Sequence, residues 1–280
     1  RGIRSIKMNG DKRHKMGIRK RLRKDKFLES EGVVNAPKKS EGKFCKNPFD
    51  QFEIHPNGTV SVCCMSWLPE KIGNVKEEGV KEVFNSEKAQ EIRESILDGS
   101  FKYCDHKLCP YIQNGSLPNK EEVTDPRHKS IIENNQTKDL EPTFYNLCYD
   151  ESCNLSCPSC RKNKIYYYEG KVYETKKKMQ DRLISHVFGK PHGNYCLINV
   201  TGSGDPFGSK LFRELLFNID GEKFPRVFFN LQTNGVMFTP RYWDKMKRIQ
   251  KNINTVMVSY DAGTPETYQI TRRGGNWDRL

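Results

Sequence analysis

Three cysteines crowd into eight residues, Cys153-Asn154-Leu155-Ser156-Cys157-Pro158-Ser159-Cys160, with the spacing C-x3-C-x2-C. A loop that gathers three thiols narrows the folds open to the chain, because the thiols need a common partner and a scaffold that presents them together. A structural zinc site takes four ligands, usually as two separated pairs, whereas a compact trio suits a four-iron cubane with three irons held and one left open. An open iron is a catalytic position. The chain has ten cysteines in all. Nothing near its first residue reads as an apolar signal peptide, so we expect a reducing cytoplasm, where thiols are metal ligands, nucleophiles or core residues rather than disulfides. No window approaches the roughly 18 apolar residues of a membrane span, and no membrane partner is expected.

The loop follows an apolar run, Phe144 to Tyr149, that reads as a strand. Further strand patterns fall at Tyr195 to Val200, Val227 to Leu231 and Thr255 to Tyr260, with amphipathic helical patterns between them at Lys178 to Val187, Lys210 to Phe217 and Tyr242 to Ile249. Thr239-Pro240 and Thr264-Pro265 each place a cap residue before a helix-compatible proline. Such βα repetition implies an α/β fold with a parallel sheet, open or curled toward a barrel, and ligands gathered at the carboxyl ends of its strands. Thr201-Gly202-Ser203-Gly204-Asp205-Pro206, Gln232-Thr233-Asn234-Gly235 and Ser259-Tyr260-Asp261 all fall at such ends. Glycines let backbone approach a ligand closely, and an acid offers a charge-assisted hydrogen bond to an ammonium.

Ahead of this region, Phe52-Glu53-Ile54 and Val60-Ser61-Val62 flank Pro56-Asn57-Gly58, the pattern of a β-hairpin with an Asn-Gly turn. Val80, Val83 and Phe84, then Ile92, Ile96 and Leu97, recur at helical spacing, with Asn85-Ser86 as a cap between two helices and Gly99 as a stop. Cys45 and Cys63 lie either side of Gly58 as C-x12-G-x4-C, and Cys104 and Cys109 follow as C-x4-C. Two cysteine pairs around a hairpin and helices frame a metal site, and thiol chemistry alone leaves zinc and iron–sulfur both open. Cys64 competes with Cys63, and strand alternation, which would turn one of the two away, favours Cys63 by its spacing from the glycine. His106 is expected in solvent, Cys148 and Cys196 as core thiols, and Trp67, Trp243 and Trp277 as packing residues.

With these motifs the chain resembles the radical S-adenosylmethionine (radical SAM) superfamily, whose mark is the same C-x3-C-x2-C loop after the first strand of a partial (βα)6 barrel. The resemblance implies a TIM-like barrel, here with about four βα units and C-terminally incomplete, over residues 141–280. It also implies that Cys153, Cys157 and Cys160 hold a [4Fe-4S] cluster whose fourth iron binds S-adenosylmethionine, which is reductively cleaved to a 5′-deoxyadenosyl radical that abstracts a substrate hydrogen. Gly202, Ser203, Gly204 and Asp205 resemble the family's glycine-rich, acid-bearing loop that meets the cosubstrate's amino group. Asn234, Ser259 and Asp261 stand where the family touches ribose, carboxylate or substrate, and Arg272 and Arg273 resemble arginines that often follow the fourth strand. Ser159 departs from the pattern, since the family commonly has an aromatic residue there. Residues 43–115 look like the SPASM/twitch extension, a small α+β domain in which Cys45, Cys63, Cys104 and Cys109 would bind an auxiliary [4Fe-4S] cluster. That extension usually follows the barrel, and here it precedes it. No catalytic side chain beyond these is assigned.

The formal charge is +13, and residues 1–30 carry twelve Lys/Arg against three Asp/Glu. We read 1–42 as a basic disordered tail or linker and 116–140 as a polar linker without period. Residue 1 is Arg, and both ends are treated as cut. The resemblance further implies an electron donor such as flavodoxin or ferredoxin, and a peptide, protein or small-molecule substrate. Two other readings stand beside it: a zinc-binding module whose tail engages nucleic acid through charge, and a catalytically incomplete fragment. Nucleic acid is not expected as the main partner, because no Phe, Tyr or Trp precedes Phe27 on which bases could stack.

Overall fold

The computed structural model of the protein describes residues 40–189, 195–200 and 202–280. Of the expected basic tail only residues 40–42 fall within these, and Thr201 lies outside them.

The Asn-Gly hairpin forms as its sequence requires. Strand β1 (Gln51–Ile54) pairs antiparallel with β2 (Thr59–Ser61), with Glu53 opposite Ser61 and Ile54 opposite Val60. Gly58 in the turn has φ of 83°, and a Cβ there would meet Asn74 Oδ1 at 2.5 Å, so only glycine closes this turn. A third short strand, β3 (Gly73–Asn74), continues the antiparallel ribbon. Helix α1 (Asn47–Asp50) precedes the hairpin, and α2 (Val80–Phe84), α3 (Glu87–Leu97) and α4 (Pro110–Gln113) follow it. Ser86 caps α3, its hydroxyl accepting from the Ala89 amide at 3.4 Å, as the Asn85-Ser86 break in the apolar spacing implied.

Residues 116–140 are not a bare linker. They contain a 3-10 turn at Lys120–Glu122 and helix α5 (Pro126–Glu133), which Asp125 caps by accepting from the His128 amide at 2.9 Å. In α5 only Ile131 is buried, too little apolar repetition to show as a period. Polar contacts dock it instead. Arg127 donates to Asp50, to the Phe49 carbonyl and to the Glu141 carbonyl, and His128 pairs with Asp50 at 2.9 Å.

The βα alternation follows: β4 (Phe144–Leu147), α6 (Gly170–Phe188), β5 (Cys196–Val200), α7 (Lys210–Asn218), β6 (Val227–Thr233), α8 (Pro240–Lys245), β7 (Ile253–Val258) and α9 (Pro265–Thr271). Helix α6 starts well before the expected Lys178, and α8 ends at Lys245, short of the expected Ile249, in a turn whose Met246 and Ile249 are buried.

The seven strands of the described residues form one mixed sheet in the order β3-β2-β1-β4-β5-β6-β7. The sequence separated a small cysteine-rich unit from a βα unit; the structure joins them at β1 and β4, which pair in parallel with Gln51 opposite Phe144 and Ile54 opposite Leu147. The physical reason is the edge of β4, whose unpaired backbone groups need a partner. Tyr145, Leu147, Ile198, Val200, Phe229 and Leu231 are buried in the same core as the hairpin residues Phe52, Ile54 and Val60. The α6 ring Phe188 stacks on Phe229 at 6.3 Å. Alternation turns Glu53, Asn146, Asn199 and Asn230 to the opposite face, where they are half-buried.

Arg93 on α3 is fully buried. It donates to the carbonyls of Pro48 at 2.9 Å, Thr137 at 2.8 Å and Phe84 at 2.7 Å, so one side chain stitches α1, α2 and the segment after α5. Replacing Arg93 with Met keeps the volume and strands three carbonyls. Each stranded group costs about 1–3 kcal/mol, so R93M should lower the urea-unfolding stability of the apo protein by about 3 kcal/mol or more.

Candidate functional site

The loop after β4 is held in place before any metal is considered. Asp150 is fully buried, and its carboxylate accepts from the Ser152 amide at 3.0 Å, the Ser152 hydroxyl at 2.9 Å and the Ser209 hydroxyl at 2.5 Å. Ser209 in turn caps α7, accepting from the Phe212 amide at 3.0 Å. The Cys153 amide donates to the Ile165 carbonyl at 2.9 Å, and the Cys160 and Arg161 amides both donate to the Cys157 carbonyl at 2.9 Å. The loop therefore folds back on itself and turns its three thiols to one side.

That side is a cavity of about 170 Å³ lined by Cys153, Cys157 and Cys160, by Gly202, Ser203, Gly204 and Asp205, and by Asn234 and Ser259. Cys153 and Cys157 are buried and Cys160 is exposed. Burial pushes the Cys153 thiol above its ordinary pKa against the opposing pull of the Leu155 amide, which donates to Sγ at 3.4 Å. Two arginines the sequence did not assign to this site meet the thiols. Arg161 donates to Cys160 Sγ at 3.3 Å and to the carbonyls of Glu151 and Ser203. Burial works against its charge, but the hydrogen bond to Cys160 and the neighbouring thiols outweigh it and raise its pKa. Arg272 donates to Cys157 Sγ at 3.8 Å and pairs with Asp261 at 2.5 Å. Arg273 holds the loop from outside, donating to the Ser156 hydroxyl at 3.2 Å and the Lys162 carbonyl at 2.6 Å. The signal available in sequence was adjacency: a cation directly after Cys160, and two more after the fourth βα strand.

The residues expected to meet a cosubstrate divide. Gly202 has φ of 104°, and a Cβ there would meet Cys148 Sγ at 2.3 Å, so the close approach of the two strand ends requires glycine. Asn234 Nδ2 lies 3.8 Å from Cys153 Sγ and 2.8 Å from Asn154 Oδ1. Asp205 is a different case from the ammonium receptor expected for it, because its buried carboxylate is fully engaged. Oδ1 accepts from the Phe207 amide at 2.9 Å and the Gly208 amide at 3.0 Å, and Oδ2 from the Thr233 hydroxyl at 2.9 Å and the Asn234 amide at 2.8 Å. It braces the loop after β5 against the end of β6. Asp261 does not line the cavity; it sits at φ of 50° with its carboxylate on Arg272.

A second cavity lies beside the hairpin. Cys45, Cys63, Cys104 and Cys109 line it together with Asn47, Trp67 and the apolar side chains of Leu68, Phe101 and Ile112. Cys64 does not. Strand alternation is not what separates the neighbours, since β2 ends at Ser61 and both cysteines lie beyond it. Cys63 Sγ accepts from Trp67 Nε1 at 3.3 Å and from Asn47 Nδ2 at 3.6 Å, so Trp67 does more than pack. Burial pushes the Cys45 thiol up to about 12, with the Cys63 and Cys109 sulfurs adding to the rise; Cys104 is raised further, by burial and then by the other three sulfurs. The four sulfurs line one cavity, and a cationic centre bound there would let them ionise together. His106, expected in solvent, is half-buried, with its Nδ1 buried and without a hydrogen-bond partner. Cys196 is a core thiol, as expected, pushed up to about 12 by burial.

Among the described residues no three Cys, His, Asp or Glu side chains close around one point as a single ion requires. The thiols ring their cavities instead, as a cluster that distributes its thiolates over several irons needs. The donor sets are three thiols with room beside them and four thiols walled by apolar groups, and both fit iron–sulfur ligation. No described helix is long and apolar enough to cross a membrane.

Residues 151–280 match the family model of the radical SAM superfamily, and residues 45–111 match SPASM, an iron-sulfur cluster-binding domain. No curated protein and no solved structure matches the chain. The two domains indicate [4Fe-4S] clusters and S-adenosylmethionine as cofactors, and the SPASM match precedes the radical SAM match.

The Asp205 brace has a direct test. Asp205→Asn keeps the shape but sets an NH2 group against the amide and hydroxyl donors around it, and should cost the apo protein about 2 kcal/mol in urea unfolding. Unchanged apo stability would mean that the carboxylate serves a ligand and not the loops.

Proposed function

Residues 151–280 belong to the radical SAM superfamily and follow a SPASM domain, and from that premise we propose that the protein is a radical SAM enzyme of the cytoplasm that abstracts hydrogen from an organic substrate. The observation that carries this reading is the cavity on which Cys153, Cys157 and Cys160 meet the backbone of Gly202–Gly204 and the side chains of Asn234 and Ser259. In this reading the bound cluster and cosubstrate supply one-electron cleavage of a sulfonium bond and a 5′-deoxyadenosyl radical. The chain's own residues do the rest.

Cys153, Cys157 and Cys160 would hold the cluster, and the Gly202–Gly204 backbone lines the same cavity for the cosubstrate. Arg161 and Arg272, each already donating to a thiol, offset the negative charge that three thiolates bring to one loop. Asn234 presents its amide beside Cys153, and Asp205 keeps that residue in register by holding its backbone N–H. Leu155, almost fully buried, gives the same cavity an apolar wall. Cys45, Cys63, Cys104 and Cys109 bind the auxiliary [4Fe-4S] cluster, with Trp67 and Asn47 donating to Cys63. A flavodoxin or ferredoxin supplies the electron. The substrate is a peptide, a protein or a small molecule.

The test is anaerobic reconstitution with iron and sulfide, followed by S-adenosylmethionine and dithionite. The wild type should release 5′-deoxyadenosine and hold both iron and labile sulfide. A triple variant with Ala at 153, 157 and 160 should lose about half of its iron and all of that product. Zinc without labile sulfide in the wild type would overturn the proposal.

A further inference from the structure

Glu53 lies on the half-buried sheet face opposite the helix-packed core, and parallel pairing sets it in one row with Asn146, Asn199 and Asn230. Within the row the amides donate along the sheet: Asn254 Nδ2 to Asn230 Oδ1 and Asn230 Nδ2 to Asn199 Oδ1, both at 2.8 Å. At the other end Asn146 Nδ2 donates to Glu53 Oε2 at 2.9 Å, and Gln51 Nε2 donates to the same oxygen at 3.1 Å. The carboxylate thereby fixes the Asn146 amide with its oxygen turned away, and that oxygen is buried without a hydrogen-bond partner. Glu53 Oε1 is 3.7 Å from His55 Nε2, which is itself engaged with the Ser61 hydroxyl at 2.9 Å.

His55 is a poor counterion. Burial depresses its pKa, the Glu53 charge opposes that, and Lys71 adds to the depression, so the ring is neutral at physiological pH. Among the described residues no lysine or arginine lies within ion-pair distance of Glu53. A carboxylate with about 15% of its side chain exposed is costly to hold without a cation. Beside it stands an orphaned amide oxygen. Neighbouring side chains thus carry two acceptors, a carboxylate without a lysine or arginine partner and an amide oxygen without a donor.

The Glu53–Asn146 pair is joined to the cluster cavity through Cys148. Cys148 follows Asn146 by two residues and shares its face, and a Cβ on Gly202, which lines that cavity, would touch Cys148 Sγ. We propose that Glu53 and Asn146 form the recognition site for a positively charged, N–H-donating group of the substrate, an ammonium or a guanidinium. This deepens the radical-enzyme reading and rests on it only for the identity of the bound molecule as the substrate. Such a group would donate a charge-assisted hydrogen bond to Glu53 Oε1 and a second to Asn146 Oδ1, while a neutral isostere would leave both acceptors unpaired. The SPASM hairpin would then contribute to selection of substrate as well as to cluster binding, because Glu53 enters the face through β1.

The experiment uses the protein reconstituted with iron and sulfide. Isothermal titration calorimetry compares Nα-acetyl-lysine amide, Nα-acetyl-arginine amide and Nα-acetyl-norleucine amide. At least one cationic probe should bind about tenfold or more tightly than the norleucine probe, and Glu53→Gln should abolish that preference. Glu53→Asp, which keeps the charge one methylene back, should retain it and covers the case in which Glu53→Gln does not fold. Equal affinity for all three probes, no detectable binding of either cation, or a preference that survives Glu53→Gln would overturn the proposal. Wild-type 5′-deoxyadenosine formation without probes separates the two readings. Product without a cation preference sinks the cation site alone, and a preference without iron or product sinks the radical reading while leaving a cation site.

Discussion

The parallel pairing of β1 with β4 is the constraint on which the rest of the structure depends. It turns a cysteine-bearing hairpin and a cysteine-bearing βα unit into one sheet with one core. Both cavities are then referred to the same rigid frame. Lys176 reinforces the joint from α6: its buried ammonium donates to the Tyr149 carbonyl at 2.5 Å, two residues beyond β4, and to the Pro56 carbonyl at 3.2 Å, in the hairpin turn. Its charge is compensated by Glu151 at 3.5 Å, which is what makes so buried a lysine tolerable. A hairpin that slipped by one residue against β4 would turn Glu53 into the core and Phe52 out of it. Register is therefore held strongly by burial alone.

The two thiol groups sit in different electrostatic settings. Around Cys45, Cys63, Cys104 and Cys109 the walls are apolar, the sulfurs repel one another as anions, and the neutral thiol is favoured until a metal arrives. Around Cys153, Cys157 and Cys160 two guanidinium groups reach the sulfurs directly, and the cavity stays open toward glycine backbone. A closed, dry site suits a cluster that is held, and an open, cation-bordered one suits a cluster that must accept another ligand. The difference follows from neighbours brought in from other elements, not from the cysteine spacings themselves.

Much of this was legible in the chain. The C-x3-C-x2-C loop, the Asn-Gly hairpin, the Ser86 cap and the alternation of strands and helices all rest on interactions within a few residues, which sequence records directly. Gly202, Ser203, Gly204, Asn234 and Ser259 could be assigned to one site because strand ends in a parallel sheet share an edge. Reading failed where contacts were long-range. Helix α5 looked like a linker because polar docking through Arg127 and His128 replaces the apolar period. Asp205 looked like a ligand for an ammonium, but its four donors come from residues both near and distant, and their convergence is not visible in a motif. Arg272 could be matched only to a family position after the fourth strand, and its contact with Cys157 came from the fold.

By itself the sequence determined the local chemistry: which loops bear thiols, where the chain turns, and which residues face alternate sides of a strand. These depend on covalent geometry, backbone preferences and short-range hydrogen bonds. Only the tertiary structure decided that the hairpin joins the βα sheet, that the Asp205 carboxylate accepts from two loops, and that Glu53 is left beside an orphaned Asn146 oxygen. Those outcomes depend on which edges, charges and buried polar groups meet across tens of residues, where burial and pairing outweigh local preference.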